Sequence, residues 1–394
     1  MVEAAAASSV TVYEDEGPGI EGTTNYKLDS GNGLKLTLLA YGATIYSLKF
    51  KNKAGVMEEV TLMRDNFEDI CNRDKNPYYG ATCGRVAGRI GGAKFTLGEG
   101  ENAVEHRLPI NNNNACLHGG VMGYDRHEWE AEIVNGKKLS DFTPLADGVA
   151  DVEGLSGVKF TRTSPHLEQE FPGALNVTSW YLINSDNKLI MAWDAEAAST
   201  DCVTPVNLTN HTYWNLSGDF KDETIAAHQL SLTSQKVLTM SEESVPTGEL
   251  ADVSGTPFDF TDGFTALGDR GRLSGAIDAG GKPGIDHAFV VGGRADIDDT
   301  SFVRVGTLQH EASGRVMTLS TTQPAVVVYT GNYLPEDGSD GKHRQHAAVC
   351  LETCALNNAV NMLGTPGWPN KDSVLVTNAK PYHHVTMHEF SLTA

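Results

Sequence analysis

Apolar residues in this chain recur at every second position over short runs, the period of strands that lay one face on a core. "LKLTLLA" (34–40) sets Leu34, Leu36 and Leu38 on one side, "KLIMAWDAEA" (188–197) does so with Leu189, Met191 and Trp193, and "HQLSLTS" (228–234) with Leu230 and Leu232. Turn-forming clusters such as "SGNG" (30–33), "NSDNK" (184–188) and "EASGR" (311–315) separate runs of this kind, as antiparallel connections require. No long stretch of helical period competes, and "NFEDICNRDKN" (66–76) is at most a short helix. With 41 glycines and no alternation of strands with helices, the pattern predicts an all-β chain, a large antiparallel β-sandwich rather than an α/β fold.

The 394 residues hold no internal repeat and no segment of linker composition, so one domain over 1–394 is expected, with residues 1–10 a flexible N-terminus. The stretches 137–157, 217–226, 294–300 and 335–345 read as polar surface excursions. A formal charge of −21 repels phosphate backbones and anionic lipid, which argues against nucleic acid or a membrane surface as partner. The opening "MVEAAAASSV" has neither a basic segment nor a long apolar one, and a cytoplasmic protein, monomer or weak dimer, is expected. Six cysteines without a CxxC pair read as buried free thiols. The Asn-x-Ser/Thr matches at Asn176, Asn207, Asn210 and Asn215 read as polar strand and loop chemistry, not as glycosylation sites.

Several clusters place an ionisable side chain beside glycine or apolar residues, where perturbed acids and bases are built. They are "GRVAGRI" (84–90), "LHGG" (117–120) with "GYDRHEW" (123–129), "VNLTNHTYWNLSG" (206–218), "GIDHAF" (284–289), "TTQPAVVVYTGN" (321–332) and "CLETC" (350–354). Glu352 follows "AAVCL", which reads as a buried strand, so its carboxyl needs partners or work to do; an edge strand facing solvent is the bland alternative. His211 sits among asparagines, threonines and rings, a mixture that suits a sugar site and equally a hydrated β edge. There is no G-x-S-x-G elbow, no H-E-x-x-H and no nucleotide-binding glycine pattern, and the histidines at 383, 384 and 388 read as structural.

Taken in order, these clusters resemble the aldose 1-epimerase (galactose mutarotase) family from "YGATIYSLKF" (41–50) to "HEFSL" (388–392). The resemblance implies a β-sandwich with its site in a groove across one sheet, no metal and no cofactor. It implies Glu352 as catalytic base and His211 as catalytic acid, with Arg89, His118, Asp286 and Gln323 holding the hydroxyls of a sugar such as galactose or glucose. Two departures stand out: Gly88 where many relatives carry asparagine, and "TCALNN" after Glu352, with Cys354, Asn357 and Asn358 in place of the usual residues. A noncatalytic sugar binder, a relative acting on a phosphorylated sugar and an isomerase of a non-sugar metabolite remain as alternatives.

Overall fold

Alternation decides which side chains meet, and turns decide which strands pair. The computed structural model describes residues 10–393 apart from 15–19, 143–151, 200–201, 243, 270–271, 275, 277, 279, 293–300, 335–340 and 363–373. Residues 1–9, the excursion 294–300 and parts of the excursions 137–157 and 335–345 therefore lie outside the described residues. The strand ladders are antiparallel throughout. The short helix Phe67–Cys71 is capped by Asn66, whose Oδ1 accepts from the Asp69 amide at 2.8 Å.

A nine-stranded sheet forms the back of the molecule. Its centre runs Leu155–Ser164, Leu175–Ile183, Lys188–Ala197, Tyr382–Leu392, Arg315–Thr321 and Val303–His310 in that spatial order. Facing it, a six-stranded sheet runs Tyr213–Trp214, Val349–Cys354, Ala325–Tyr329, Asp286–Val290, Lys236–Met240 and Pro246–Asp252. A five-stranded N-terminal sheet, Thr11–Glu14 to Met57–Glu59, joins it through a bridge between Thr61 and Trp214.

The residues singled out by their period meet in one core. Leu34, Leu36, Leu38, Leu189, Met191, Trp193, Leu230 and Leu232 belong to a single buried cluster with Val326, Val328, Val349 and Leu351 of the six-stranded sheet. Residues of opposite parity in the central strand, Ile190 and Ala192, pack instead with Trp180, Leu182 and Val385 on the sheet's other face. Arg315 ties the sheets at one edge: its guanidinium donates to the carbonyls of Phe50, Leu216 and Ser217 and meets Glu58. The Arg315 side chain is fully buried, and the fixed fork of its guanidinium serves three carbonyls at once.

The last strand explains the C-terminal histidines. His384 bonds Thr353 and Thr386 between the sheets, His388 packs on Trp214, and His383 pairs with Asp194 at 2.7 Å. Trp193→Ala, at a fully buried ring, is expected to destabilise the fold by about 3–5 kcal/mol in urea unfolding. Val104→Ala, at a side chain 54% exposed, is expected to change it by less than about 0.5 kcal/mol.

Candidate active site

The outer face of the six-stranded sheet carries a groove of about 490 Å³, and strand parity chooses what lines it. In Val349–Cys354 the side chains of Val349 and Leu351 enter the core, so Cys350, Glu352 and Cys354 turn the other way. Glu352 pairs across the ladder with Val327, and both line the groove. Period two thus removes the edge-strand reading of Glu352: the carboxyl is on an interior strand and only 5% exposed.

His211 stands where two short strands meet. Thr209–Asn210 pairs with Thr82–Cys83, and Tyr213–Trp214 pairs with Cys350 and Val349 of the Glu352 strand. Its backbone is fixed on both sides, with its N–H on the Ala81 carbonyl and its carbonyl receiving the Gly80 N–H, each at 3.0 Å. The ring lies between Tyr213 (centroids 5.0 Å, stacked) and Tyr78 (5.7 Å, stacked). Trp214, one residue beyond Tyr213, points into the core.

This framework sets His211 Nε2 3.5 Å from Glu352 Oε1. His118 joins them, its ring 5.3 Å from that of His211 and 4.5 Å from that of Tyr78. Arg89 and Asp286 face each other across the groove, Nη1 to Oδ2 at 3.7 Å, and Arg89 Nε donates to Asn112 at 2.9 Å. Arg73 lies over the outer face of Tyr78 at 3.9 Å and is held by Asp125 at 2.8 Å, which fixes the ring that backs both histidines.

Burial dominates the electrostatics. It raises the Glu352 carboxyl well above the usual carboxylate range; the nearby Asp286 charge adds to the rise and Arg89 opposes it. Burial lowers His211 to about 4 and His118 well below the usual imidazole range. His118, His211 and Glu352 bring one ligand atom each within 4.8 Å of one another, a set of the kind that holds divalent cations. Yet Gly88 N–H donates to His118 Nδ1 at 3.3 Å, so the neutral ring carries its proton on Nε2. His118 therefore serves the groove as an N–H donor, and ligation through Nε2 requires the Gly88 bond to be given up.

Five of the six residues expected at the site, Glu352, His211, Arg89, His118 and Asp286, converge on this groove. Gln323 does not. It lies in the connection before Ala325–Tyr329, four residues from Val327, roughly 13 Å along an extended chain. The groove-facing position of that strand is Val327, an identity hidden in sequence because "AVVVY" alternates between core and groove without changing polarity. The amides around His211 bond the protein itself. Asn210 bonds the Gly80 carbonyl, Tyr181 and Thr212, Asn215 bonds the Ala347 carbonyl and Ser217, and Asn207 bonds Ala87 and Ala355. These asparagines staple backbone where the short strands end.

Tyr78, Asn112, Tyr329 and Tyr333 also line the groove and were not singled out in the sequence. The "NPYYG" doublet holds one signal: Tyr78 turns to the groove in a left-handed conformation (φ 65°), while Tyr79 enters a buried cluster.

Comparison with known proteins bears on the family and the fold. The sequence profile of aldose 1-epimerases matches residues 24–371. The chain belongs to the aldose 1-epimerase family. It is 33% identical over 386 residues to galactose mutarotase of Bos taurus (97% of this chain, 98% of the relative). It is 28% identical over 371 residues to aldose 1-epimerase of Escherichia coli K12 (92% and 94%). Among solved structures, galactose 1-epimerase of Lactobacillus acidophilus superposes with a TM-score of 0.74 at 22% identity, covering 98% of this chain and 99% of the other. The GalM/aldose epimerase homologue of C. elegans gives 0.73 at 24% identity (92% and 97%). The sandwich is thus the family's fold, and the chain is an isomerase of this family. Among the described residues no helix is long and apolar enough to cross a membrane.

Asn207→Ala leaves the Ala355 amide without its acceptor and frees the Ala87 carbonyl. A loss of about 1–3 kcal/mol in chemical denaturation is expected, from the cost of unsatisfied buried groups.

Proposed function

We propose that the groove interconverts the α and β anomers of free hexoses, galactose and glucose, by acid–base ring opening and reclosure. One observation carries this reading: an imidazole nitrogen and a carboxylate oxygen face each other across 3.5 Å inside a sugar-sized groove. Opening a cyclic hemiacetal needs a proton removed from the C1 hydroxyl and one delivered to the ring oxygen. Both oxygens sit on one carbon, so acid and base have to be close neighbours.

Glu352 as carboxylate takes the O1 proton; the C1=O1 bond forms as C1–O5 breaks, and O5 takes a proton from the His211 imidazolium. The sugar is now the open aldehyde, and the pair is a carboxylic acid beside a neutral imidazole. Rotation about C1–C2 presents the other face of the aldehyde. Reclosure returns the O5 proton to His211 and the Glu352 proton to O1, so the pair conserves its single proton over the cycle. Burial favours the uncharged pair, and Arg89 keeps the ionised one within reach by stabilising the carboxylate.

The remaining groups orient rather than transfer protons. His118 offers its Nε2–H to a sugar oxygen, and Arg89 with Asp286 offers charge-assisted hydrogen bonds to hydroxyls. Arg89, the only lysine or arginine among the described lining residues, already faces Asp286, which favours a neutral sugar over a sugar phosphate.

Polarimetry of freshly dissolved α-D-galactose and α-D-glucose tests the proposal. Acceleration by the unaltered protein is expected, and Glu352→Gln and His211→Asn are each expected to lose roughly 10²–10⁴-fold. Equal rates for all three proteins would remove the acid–base assignment.

The pH profile follows from the same pair. Below about 4, His211 gains a proton while Glu352 keeps its own, and no base remains. Above the raised value of Glu352 the pair loses its shared proton, and no acid remains. A plateau in kcat/KM is therefore expected, with an acid limb near pH 4 and an alkaline limb well above the ordinary carboxylate range, each belonging to the pair. Arg89→Gln removes a charge that lowers Glu352, so the alkaline limb is expected to move to higher pH.

A further inference from the structure

Gly88 and the loop after Glu352 meet inside the groove. Gly88 has a left-handed backbone (φ 75°), and a Cβ built on it would lie 2.5 Å from both Cγ and Oδ1 of Asn357 and 2.9 Å from its Nδ2. The amide of Asn357 therefore occupies the space that a side chain at position 88 would need. Both residues line the groove with Glu352, Arg89 and His118. Asn207 holds the two segments in register, donating to the Ala87 carbonyl and accepting the Ala355 amide.

Neighbouring amides have structural employment that Asn357 lacks. Asn358 accepts from the Gly91 amide at 3.0 Å and from Asn361 at 2.8 Å, and Asn112 accepts from Arg89. For Asn357, the contact within the protein among the described residues is the Cys354 thiol, 4.0 Å from Oδ1. Its Nδ2 has no protein acceptor among them, although the residue is largely buried. The residue lines a polar groove, so its amide can serve an acceptor in whatever fills that groove.

We infer that Asn357 is a sugar-contacting, specificity-determining residue, donating its amide to one hydroxyl oxygen beside Glu352, and that Gly88 is glycine to make room for it. The inference rests on the hexose reading above and deepens it. It also couples the two departures: residue 88 and residue 357 compete for one volume, so a single amide can be supplied from either side. Gly88 does a second job, since its N–H and carbonyl both bond His118, and bulk at 88 disturbs the donor as well as the amide.

The test measures kcat and KM for anomerisation of galactose, glucose and their monodeoxy analogues, with melting temperature as the fold control. In parallel, calorimetry gives the Kd of each sugar in the Glu352→Gln background, where chemistry is removed. Asn357→Ala is expected to raise KM and Kd about 3–10-fold with kcat little changed, as for a neutral hydrogen bond made before and during the reaction. For one deoxy analogue, the one lacking the contacted hydroxyl, the substitution is expected to have no effect. Gly88→Ala, which leaves Asn357 in the chain but takes its space, is expected to raise KM likewise. The exchange Gly88→Asn with Asn357→Gly is expected to recover part of the loss, asparagine being tolerant of the left-handed backbone.

Unchanged KM and Kd for Asn357→Ala and Gly88→Ala, with sugar still bound and turned over, overturns the role of Asn357 and leaves the hexose reading standing. A protein that neither binds nor turns over any of these sugars overturns both.

Discussion

Burying a carboxyl and an imidazole beside each other constrains the rest of this structure. Two isolated charges in such a place would be expensive, and burial pushes both groups toward neutrality. One shared proton resolves the conflict, because a neutral acid beside a neutral base and a carboxylate beside an imidazolium differ only in where that proton sits. The proposed anomerisation uses that equivalence. It needs rigid neighbours, which are the stacked rings of Tyr213 and Tyr78 and the Arg73–Asp125 pair behind Tyr78.

The rigidity comes from backbone hydrogen bonds made outside regular ladders. The segment 206–218 crosses from the Thr82–Cys83 strand to the Glu352 strand in pieces two residues long, too short to satisfy their own peptide groups. Asn207, Asn210 and Asn215 supply the missing partners. The density of asparagine around His211 is thus a consequence of broken pairing: the imidazole can face the groove because the strands on either side of it stop.

Much of this was legible from residue order. The sandwich follows from period two, and the alternating leucines and Trp193 entered one core as their spacing required. Glu352, His211, Arg89, His118 and Asp286 were identified through motif likeness, and the structure brings them to one groove. Gln323, which the family likeness also implied, does not line the groove; Val327, in the run after it, does. The direction of Tyr78 depends on a left-handed backbone that a sequence pattern does not display.

The sequence by itself determined the period of the strands and the net charge, because these are properties of spacing and composition along one chain, and its likeness to a family pointed to Glu352 and His211. Only the tertiary structure decided that His211 and Glu352 stand 3.5 Å apart, that Gly88 N–H sets the tautomer of His118, and that Asn357 fills the space over Gly88. These contacts join residues from 30 to 269 positions apart, counting 118 − 88, 352 − 211 and 357 − 88. Their geometry follows from how sheets stack and where short strands end, and no local pattern encodes it.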